Sequence, residues 1–419
     1  MSSEKRVLIV AFHFPPVRVS SGIQRTLKFC TYLREHGWSP LVLTIDPRAY
    51  PTTSADQLKE VPDDIVVERA FGLDTARQLS IGGKYLRWMA QPDRWISWWP
   101  AAVWTGMRMI RQYRPAALMS TFPIATAHRI ALSLQERSGL PWIADFRDSM
   151  TEPGYPRDAL TWKVQRRLEQ HVVERCATAV FTTELTRQMY AERYAGYDAA
   201  KWAVIENGYD EENFAAAEDG IDTRPLGAPA QFTLVHSGVL YPKERDPRPF
   251  FAALAQLKRQ GRIAAQDLQV ILRATGSDGL YAPMLAEQGI ADIVRLEPVV
   301  AYRDALREML RADALLLFQG SVCNHQIPAK IYEYYRAGRP IFGLVDPAGI
   351  SARMLRDVGV ADIADIASAE QIAERLLELL AALREGRRQG VARDVAARHS
   401  RRSRSAELAT LLDRITDRH

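Results

Sequence analysis

Ile327-Pro328-Ala329-Lys330-Ile331-Tyr332-Glu333-Tyr334-Tyr335-Arg336-Ala337-Gly338-Arg339-Pro340 decides the reading of this chain. Proline fits the first turn of a helix, so Pro328 is expected to open one. Lys330 and Glu333 are three apart and share a face of that turn. Gly338 stops the helix, and Pro340 leads into an apolar strand, Ile341–Val345. Upstream, Ala314–Phe318 is an unbroken apolar run, the pattern of a buried strand. A cation and a carboxylate therefore stand near a helix N-terminus at the mouth of an α/β sheet. Such folds take phosphorylated ligands there. The lysine and the helix dipole suit a diphosphate, and a glutamate one turn on suits ribose hydroxyls.

Outward from this segment, strand-like and helix-like stretches alternate to both ends, which predicts α/β architecture with parallel sheets. In the first half the strands are Val7–Phe12, Leu41–Ile45, Ile65–Arg69, Ala117–Ser120, Trp142–Phe146, Ala179–Thr182 and Ala203–Glu206. Helical spacing marks Ile23–His36, ended by Gly37, as well as Ile124–Arg137 and Leu160–Arg175. The alternation breaks at Asn207-Gly208, a turn signal. From residue 211 to about 230 the chain is acidic, alanine-rich and broken by glycine and proline, and reads as a linker. A second series follows with Phe232–His236, Leu268–Arg273, Ile293–Leu296, Ala314–Phe318 and Ile341–Val345. The expected organisation is a first domain over 1–210, a linker over 211–230 and a second domain over 231–399. Arg402–Arg418 is amphipathic, with Leu408, Leu411, Leu412 and Ile415 on one face.

A chain of 419 residues is too long for one ordinary core, which agrees with two domains. Its 47% hydrophobic and 25% charged residues are those of a soluble globular protein. No apolar run approaches the ~20 residues of a membrane span, and Val7–Phe12 is too short for the core of a signal peptide. Cys30, Cys176 and Cys323 are far apart and odd in number. They point to a reducing cytoplasm, to buried apolar thiols and to no metal cluster. The net charge of +5 favours anionic partners such as nucleotides or phospholipid headgroups. The densest arginine cluster, Arg398 to Arg404, is a candidate for peripheral contact with an anionic membrane. Trp88, Trp95, Trp98, Trp99 and Trp104 crowd one region among arginines. Packing of a helical excursion onto the first domain is favoured for them over an interfacial membrane surface.

Three further stretches carry candidate chemistry. Pro15-Pro16-Val17-Arg18-Val19-Ser20-Ser21-Gly22 is a small loop before a helix, a place for anions, without the glycine spacing of the dinucleotide fingerprint. His236 to Pro247 holds the same position in the second domain, and its Lys243 and Arg245 would reach a diphosphate. Asp145-Phe146-Arg147-Asp148 puts three charged groups at the C-terminal end of a strand, where α/β sheets place function; a structural ion pair is the plainer alternative. His128 and His171 lie inside helices, where a lone histidine is usually structural. There is no P-loop, no Gly-x-Ser-x-Gly elbow and no paired metal motif.

Together these residues resemble a retaining glycosyltransferase of family 4, with the GT-B fold, over nearly the whole chain. Ile327–Pro340 is similar to the family's segment ending in a glutamate that holds the donor ribose, and Glu333 matches that glutamate. His325 stands where the fuller pattern has another acid. The neighbourhood His325-Gln326-Ile327 would then hold the donor sugar in another way. Ser21-Gly22 resembles the loop covering the donor phosphates, while Ser237-Gly238, Lys243 and Arg245 resemble the loop that brings cations to the diphosphate. Asp145-Phe146-Arg147-Asp148, with Pro92-Asp93 and Trp98 upstream, resembles a bacterial branch tied to surface polysaccharide assembly, including lipopolysaccharide. The resemblance implies two Rossmann-like doubly wound domains facing a cleft, with the last helix, within 400–419, returning to the first domain. It implies transfer of a sugar from a nucleotide-diphosphate sugar to a glycan or lipid-linked acceptor, without a metal or other cofactor. Asp145, Arg147 and Asp148 are its catalytic candidates. Lys330, Glu333 and the second-domain loop residues are its donor-binding candidates. A cytoplasmic location, peripheral at the inner face of the membrane, goes with this reading.

Two rivals carry different expectations. A nucleotide-sugar epimerase or hydrolase would use the same fold for another reaction. An inactive basic homologue would bind membrane alone, in a salt-sensitive way. No interleaved basic and aromatic motif speaks for nucleic acid.

Overall fold

The computed structural model describes residues 5–17, 21–54 and 56–417, with only the backbone for Ser21, Asp56 and Gln57. The chain divides into two compact units, Met1–Asn207 with Arg401–His419, and Gly208–Ser400.

The first unit is built on seven parallel strands: β1 (Lys5–Ala11), β2 (Trp38–Ile45), β3 (Val66–Ala70), β4 (Ala117–Thr121), β5 (Trp142–Arg147), β6 (Thr178–Phe181) and β7 (Trp202–Val204). Their order in the sheet is β3-β2-β1-β4-β5-β6-β7. In register, Val10 of β1 pairs with Leu43 of β2 on one side and Ser120 of β4 on the other. Successive β1 side chains enter opposite faces, as the two-residue period of a strand requires. Leu8 and Val10 join a core with Trp98, Ile130 and Trp142. Val7 and Ile9 join a second core with Leu27, Leu33 and the C-terminal helix Arg401–Thr416. That helix buries Leu408, Leu411, Leu412 and Ile415 beside the helix Ser21–Tyr32, as its amphipathic pattern predicts. Burying a Leu or Ile contributes ~1.5–3 kcal/mol. The last helix is therefore an integral layer of this unit.

The second unit has six parallel strands: β8 (Phe232–Ser237), β9 (Leu268–Arg273), β10 (Val294–Glu297), β11 (Ala314–Gln319), β12 (Ile341–Val345) and β13 (Ile363–Asp365). The order is β10-β9-β8-β11-β12-β13. In both sheets the order reverses beside the unit's first strand, between β1 and β4 and between β8 and β11. The crevice at the carboxyl ends of those strands is where doubly wound sheets bind ligands.

Residues 211–230 are not a plain linker. Glu211–Glu218 is a helix capped by the Asp210 carboxylate, and Phe214 and Ala217 are buried in the second unit's core. The tryptophan cluster divides. Trp98 is fully buried, Trp95 and Trp99 pack against the core, and Trp88 and Trp104 are exposed. The three-residue edge strand β13 has no counterpart in the sequence reading, since it is too short to show a period. No helix among the described residues is long and apolar enough to cross a membrane.

Candidate active site

In the second unit, the helix Lys330–Ala337 starts just after the expected Pro328: the N–H of Ile331 donates to the Pro328 carbonyl, and Gly338 closes the helix in the left-handed region at φ +64°. The helix is fixed on two sides. Tyr334 donates its hydroxyl to the Leu316 carbonyl of β11 at 3.1 Å. Arg336 is buried and binds both Glu211, at 2.6 and 2.7 Å, and Glu218, at 2.8 and 3.0 Å. This bidentate anchoring explains why 211–218 is ordered as a helix.

Lys330, at the first turn, points into the β8/β11 crevice. Its Nζ donates to the Ser237 carbonyl at 2.7 Å and lies 3.1 Å from Nε2 of His236. Nδ1 of His236 stands 2.9 Å from the Leu316 carbonyl, an acceptor, so Nδ1 carries the proton and Nε2 accepts from Lys330. Burial pushes the His236 imidazole well below its usual range, helped by Lys330. Burial, and then the Arg245 guanidinium, push Lys330 down to about 7, while Glu333 pulls it up. Lys330 as a whole residue is half-buried, with its ammonium turned in under the loop.

That loop follows β8. Gly238 has φ +125°, and a Cβ there would stand 2.8 Å from Nζ of Lys330, so only glycine lets the lysine approach. The half-buried Arg245 donates to Gln319 Oε1 at 3.2 Å and to the Val239 carbonyl at 3.3 Å. The loop after β11 is joined to it by Gly320, whose N–H donates to the Glu244 carbonyl at 2.7 Å. Glu333 accepts from the Tyr302 hydroxyl at 2.7 Å. Thus Ser237, Gly238, Arg245, Lys330 and Glu333 converge on one switch point. Lys243 is an exposed loop residue. His325 and Gln326 are half-buried on the loop after β11, while the Ile327 side chain joins the core and leaves only its backbone for a ligand.

The first unit carries a second group of charges. Asp145 is fully buried and locked by Arg25, with Nε and Nη2 each 3.0 Å from a carboxylate oxygen. Thr121 donates to the same carboxylate at 3.1 Å, and Arg25 also donates to the Ile205 and Glu206 carbonyls at 2.9 Å. Asp145, a catalytic candidate from the sequence, is held in a buried ion pair with Arg25, the plainer alternative for this strand end.

Arg147 differs. Its backbone is in the left-handed region at φ +61°, unusual for a non-glycine residue. Nη1 donates to the Phe122 carbonyl at 3.2 Å, and its buried Nε has no hydrogen-bond partner among the described residues. Burial lowers the guanidinium from its usual value, and Asp148 and Asp145 raise it. His13, in the loop after β1, is pushed down to about 4 by burial and by Arg147. The β1 and β5 ends therefore share a polar corner that includes His13, which sequence reading missed; a histidine directly after the first strand was the available signal. Ser21 and Gly22 open the helix Ser21–Tyr32, and Arg18 to Ser20 lie outside the described residues. His128 is a core residue, its Nδ1 2.7 Å from Ser120 Oγ and its ring against Phe146.

Residues 22–208 match the model of the glycosyl transferase 4-like domain. The chain carries a glycosyltransferase domain. Solved structures give the fold of the whole chain. HepE of Anabaena, in complex with UDP, matches at a TM-score of 0.67 and 15% identity over 98% of this chain and 99% of its own. Sucrose-phosphate synthase of Thermosynechococcus elongatus matches at 0.58 and 13% over 99% and 100%. WaaG, a glycosyltransferase involved in lipopolysaccharide biosynthesis, matches at 0.59 and 12% over 97% and 99%. No curated protein matches the chain. At these identities the likeness is one of fold, and that fold is GT-B.

Proposed function

We propose that this glycosyltransferase moves a sugar from a nucleotide-diphosphate sugar to a glycan or lipid-linked acceptor, with retention at the anomeric carbon, in bacterial surface polysaccharide synthesis. The observation that carries the reading is the convergence of Lys330, Arg245 and the glycine loop at Gly238 on the second unit's switch point, with Glu333 one turn along the same helix. HepE is seen with UDP, which supports a nucleotide donor here. The work at the inner face of the cytoplasmic membrane would be peripheral.

In the proposed reaction the bond between the anomeric carbon and the diphosphate oxygen breaks, and its electron pair leaves with the nucleoside diphosphate. The acceptor hydroxyl oxygen bonds to the carbon, and its proton passes to an oxygen of the leaving diphosphate. Lys330 and Arg245 meet the charge that grows on the leaving diphosphate, and the first turn of the helix adds its dipole. Loss of one such preorganised donor typically costs ~2.7–4 kcal/mol of barrier. Glu333 accepts from ribose hydroxyls in exchange for Tyr302. Arg147 and Asp148 act on the transferred sugar or the acceptor. These roles require no metal ion. Product analysis with a panel of nucleotide sugars, with and without acceptor, tests the reading. Acceptor-dependent transfer supports it, and hydrolysis or epimerisation alone overturns it.

A further inference from the structure

We infer that Asp93 is a positioning residue for Arg147: by capping the helix Ala125–Ser138 from outside that helix, it fixes the loop after β4 whose Phe122 carbonyl holds the guanidinium. The inference rests on the proposed role of Arg147 at the transferred sugar or the acceptor, but its deciding readout needs no sugar transfer.

The helix Ala125–Ser138 follows β4 at the switch point of the first sheet, and Ile124 before it offers no side-chain acceptor. The first N–H groups of a helix have no partner within it. Asp93, 33 positions earlier, meets one of them. One carboxylate oxygen accepts from the Thr126 N–H at 2.7 Å, and the other accepts from Thr126 Oγ1 at 2.9 Å and from the Trp95 N–H at 3.0 Å. The neighbouring Pro92 is held as well, since the Gln165 side chain donates to its carbonyl at 2.9 Å. A helix N-terminus favours a negative group. Here the chain supplies its own.

Only Phe122, Pro123 and Ile124 run between β4 and this helix. The Phe122 carbonyl accepts from Arg147 Nη1 at 3.2 Å and from Thr121 Oγ1 at 3.1 Å. Thr121 is fixed in the sheet at one end of the loop, and Thr126 is tied to Asp93 at the other. The carbonyl between them has little freedom to move. The buried Nε of Arg147 has no partner among the described residues, so the Phe122 carbonyl is the anchor of the guanidinium. Its place therefore depends on Asp93. The same segment braces the corner from the β1 side, with the rings of Trp95 and Trp98 4.5 and 6.4 Å from that of Phe12, next to His13. This gives the Pro92-Asp93 and Trp98 pattern a physical task. A plain cap would give stability alone, whereas a cap whose loop holds a cation of the site passes its effect on to the reaction.

The test is NMR of the full chain isotope-labelled at arginine, in which the Nε–H resonance of Arg147 is the one missing from Arg147→Gly. Asp93→Ala should move this resonance and speed its exchange with water. Asp93→Asn should restore both, because asparagine caps a helix about as well as aspartate. Thr126→Val removes only the hydroxyl donor and should move the resonance in the same direction by less; it decides the matter if Asp93→Ala does not fold. With a working donor and acceptor, the turnover number of Asp93→Ala should fall roughly tenfold to a hundredfold, with the donor KM unchanged. A lowered melting temperature with the Arg147 resonance unmoved would mark a cap that only stabilises, and overturns the inference. So does an equal shift in Asp93→Asn and Asp93→Ala, or an unchanged turnover number after the resonance has moved. Absence of transfer by the unaltered chain counts against the proposed reaction, and the resonance then decides this inference by itself.

Discussion

Nζ of Lys330 lies 3.1 Å from Nε2 of His236, a residue 94 positions earlier at the end of the second unit's first strand. The imidazole is held as a neutral acceptor, because its other nitrogen donates to Leu316. The lysine is thus oriented by a group that does not neutralise it, beside the Arg245 guanidinium. An anion entering this crevice meets two cations whose mutual repulsion it relieves, which favours a diphosphate over an uncharged ligand.

This arrangement sets opposite pH dependences for binding and for stability. Lys330 titrates near 7 in the folded chain against an ordinary 10.5. Its depressed value means that the unfolded chain holds a proton the folded chain has released between those two values. The stability tied to Lys330 is full above about 10.5 and is lost as the pH falls toward about 7. Nucleoside diphosphate affinity should move the other way, falling as pH rises from about 7 to 9 with proton uptake on binding. Calorimetry in buffers of differing ionisation enthalpy checks this. No proton uptake at pH 8, and a flat affinity, would remove Lys330 from the diphosphate.

Gly238→Ala should weaken donor binding at least tenfold, as an order of magnitude. Its φ of +125° and the 2.8 Å approach of Lys330 leave no room for a methyl group without moving the ammonium. Titration of the folded variant measures the effect. Unchanged affinity would show that the loop does not cradle the ligand.

Glu333→Ala should cost ~1.5–3 kcal/mol of donor binding, the worth of a hydrogen bond to a charged group. Tyr302→Phe removes a hydrogen-bond donor to Glu333 and should leave donor binding nearly unchanged. If the tyrosine variant is the damaging one, the two roles are exchanged.

Arg147→Gly separates chemistry from folding. Glycine suits φ +61°, so the fold should be retained, while transfer should fall strongly with donor affinity unchanged. By contrast Asp145→Ala strands the buried Arg25 charge and should destabilise the first unit by ~3–5 kcal/mol. Denaturation midpoints and single-turnover rates distinguish these outcomes. A stable, inactive Asp145→Ala protein would return that residue to the chemistry.

Strand positions and the helix at Lys330 were legible because they depend on local period and on proline and glycine. Apolar runs such as Ala314–Phe318 fix themselves as buried strands whatever lies beside them. The helix over 211–218 was not legible: its acidic, alanine-rich sequence looks like solvated chain until Arg336, 118 and 125 positions away, pairs with Glu218 and Glu211. The ion pair of Asp145 was hidden for the same reason, since its partner Arg25 lies 120 residues earlier. His13 gained its place from Arg147 across the sheet, a relation that spacing does not encode.

The central claim is that Lys330 and its surroundings bind a nucleoside diphosphate. The most direct measurement is calorimetric titration of the full chain and of Lys330→Met with a panel of nucleoside diphosphates, near pH 7 and in excess EDTA. The account predicts saturable binding of at least one of them without a divalent ion, weakened by ~1.5–3 kcal/mol in the variant. Binding by no nucleoside diphosphate, binding only when a divalent ion is restored, or equal affinity in the variant would contradict it.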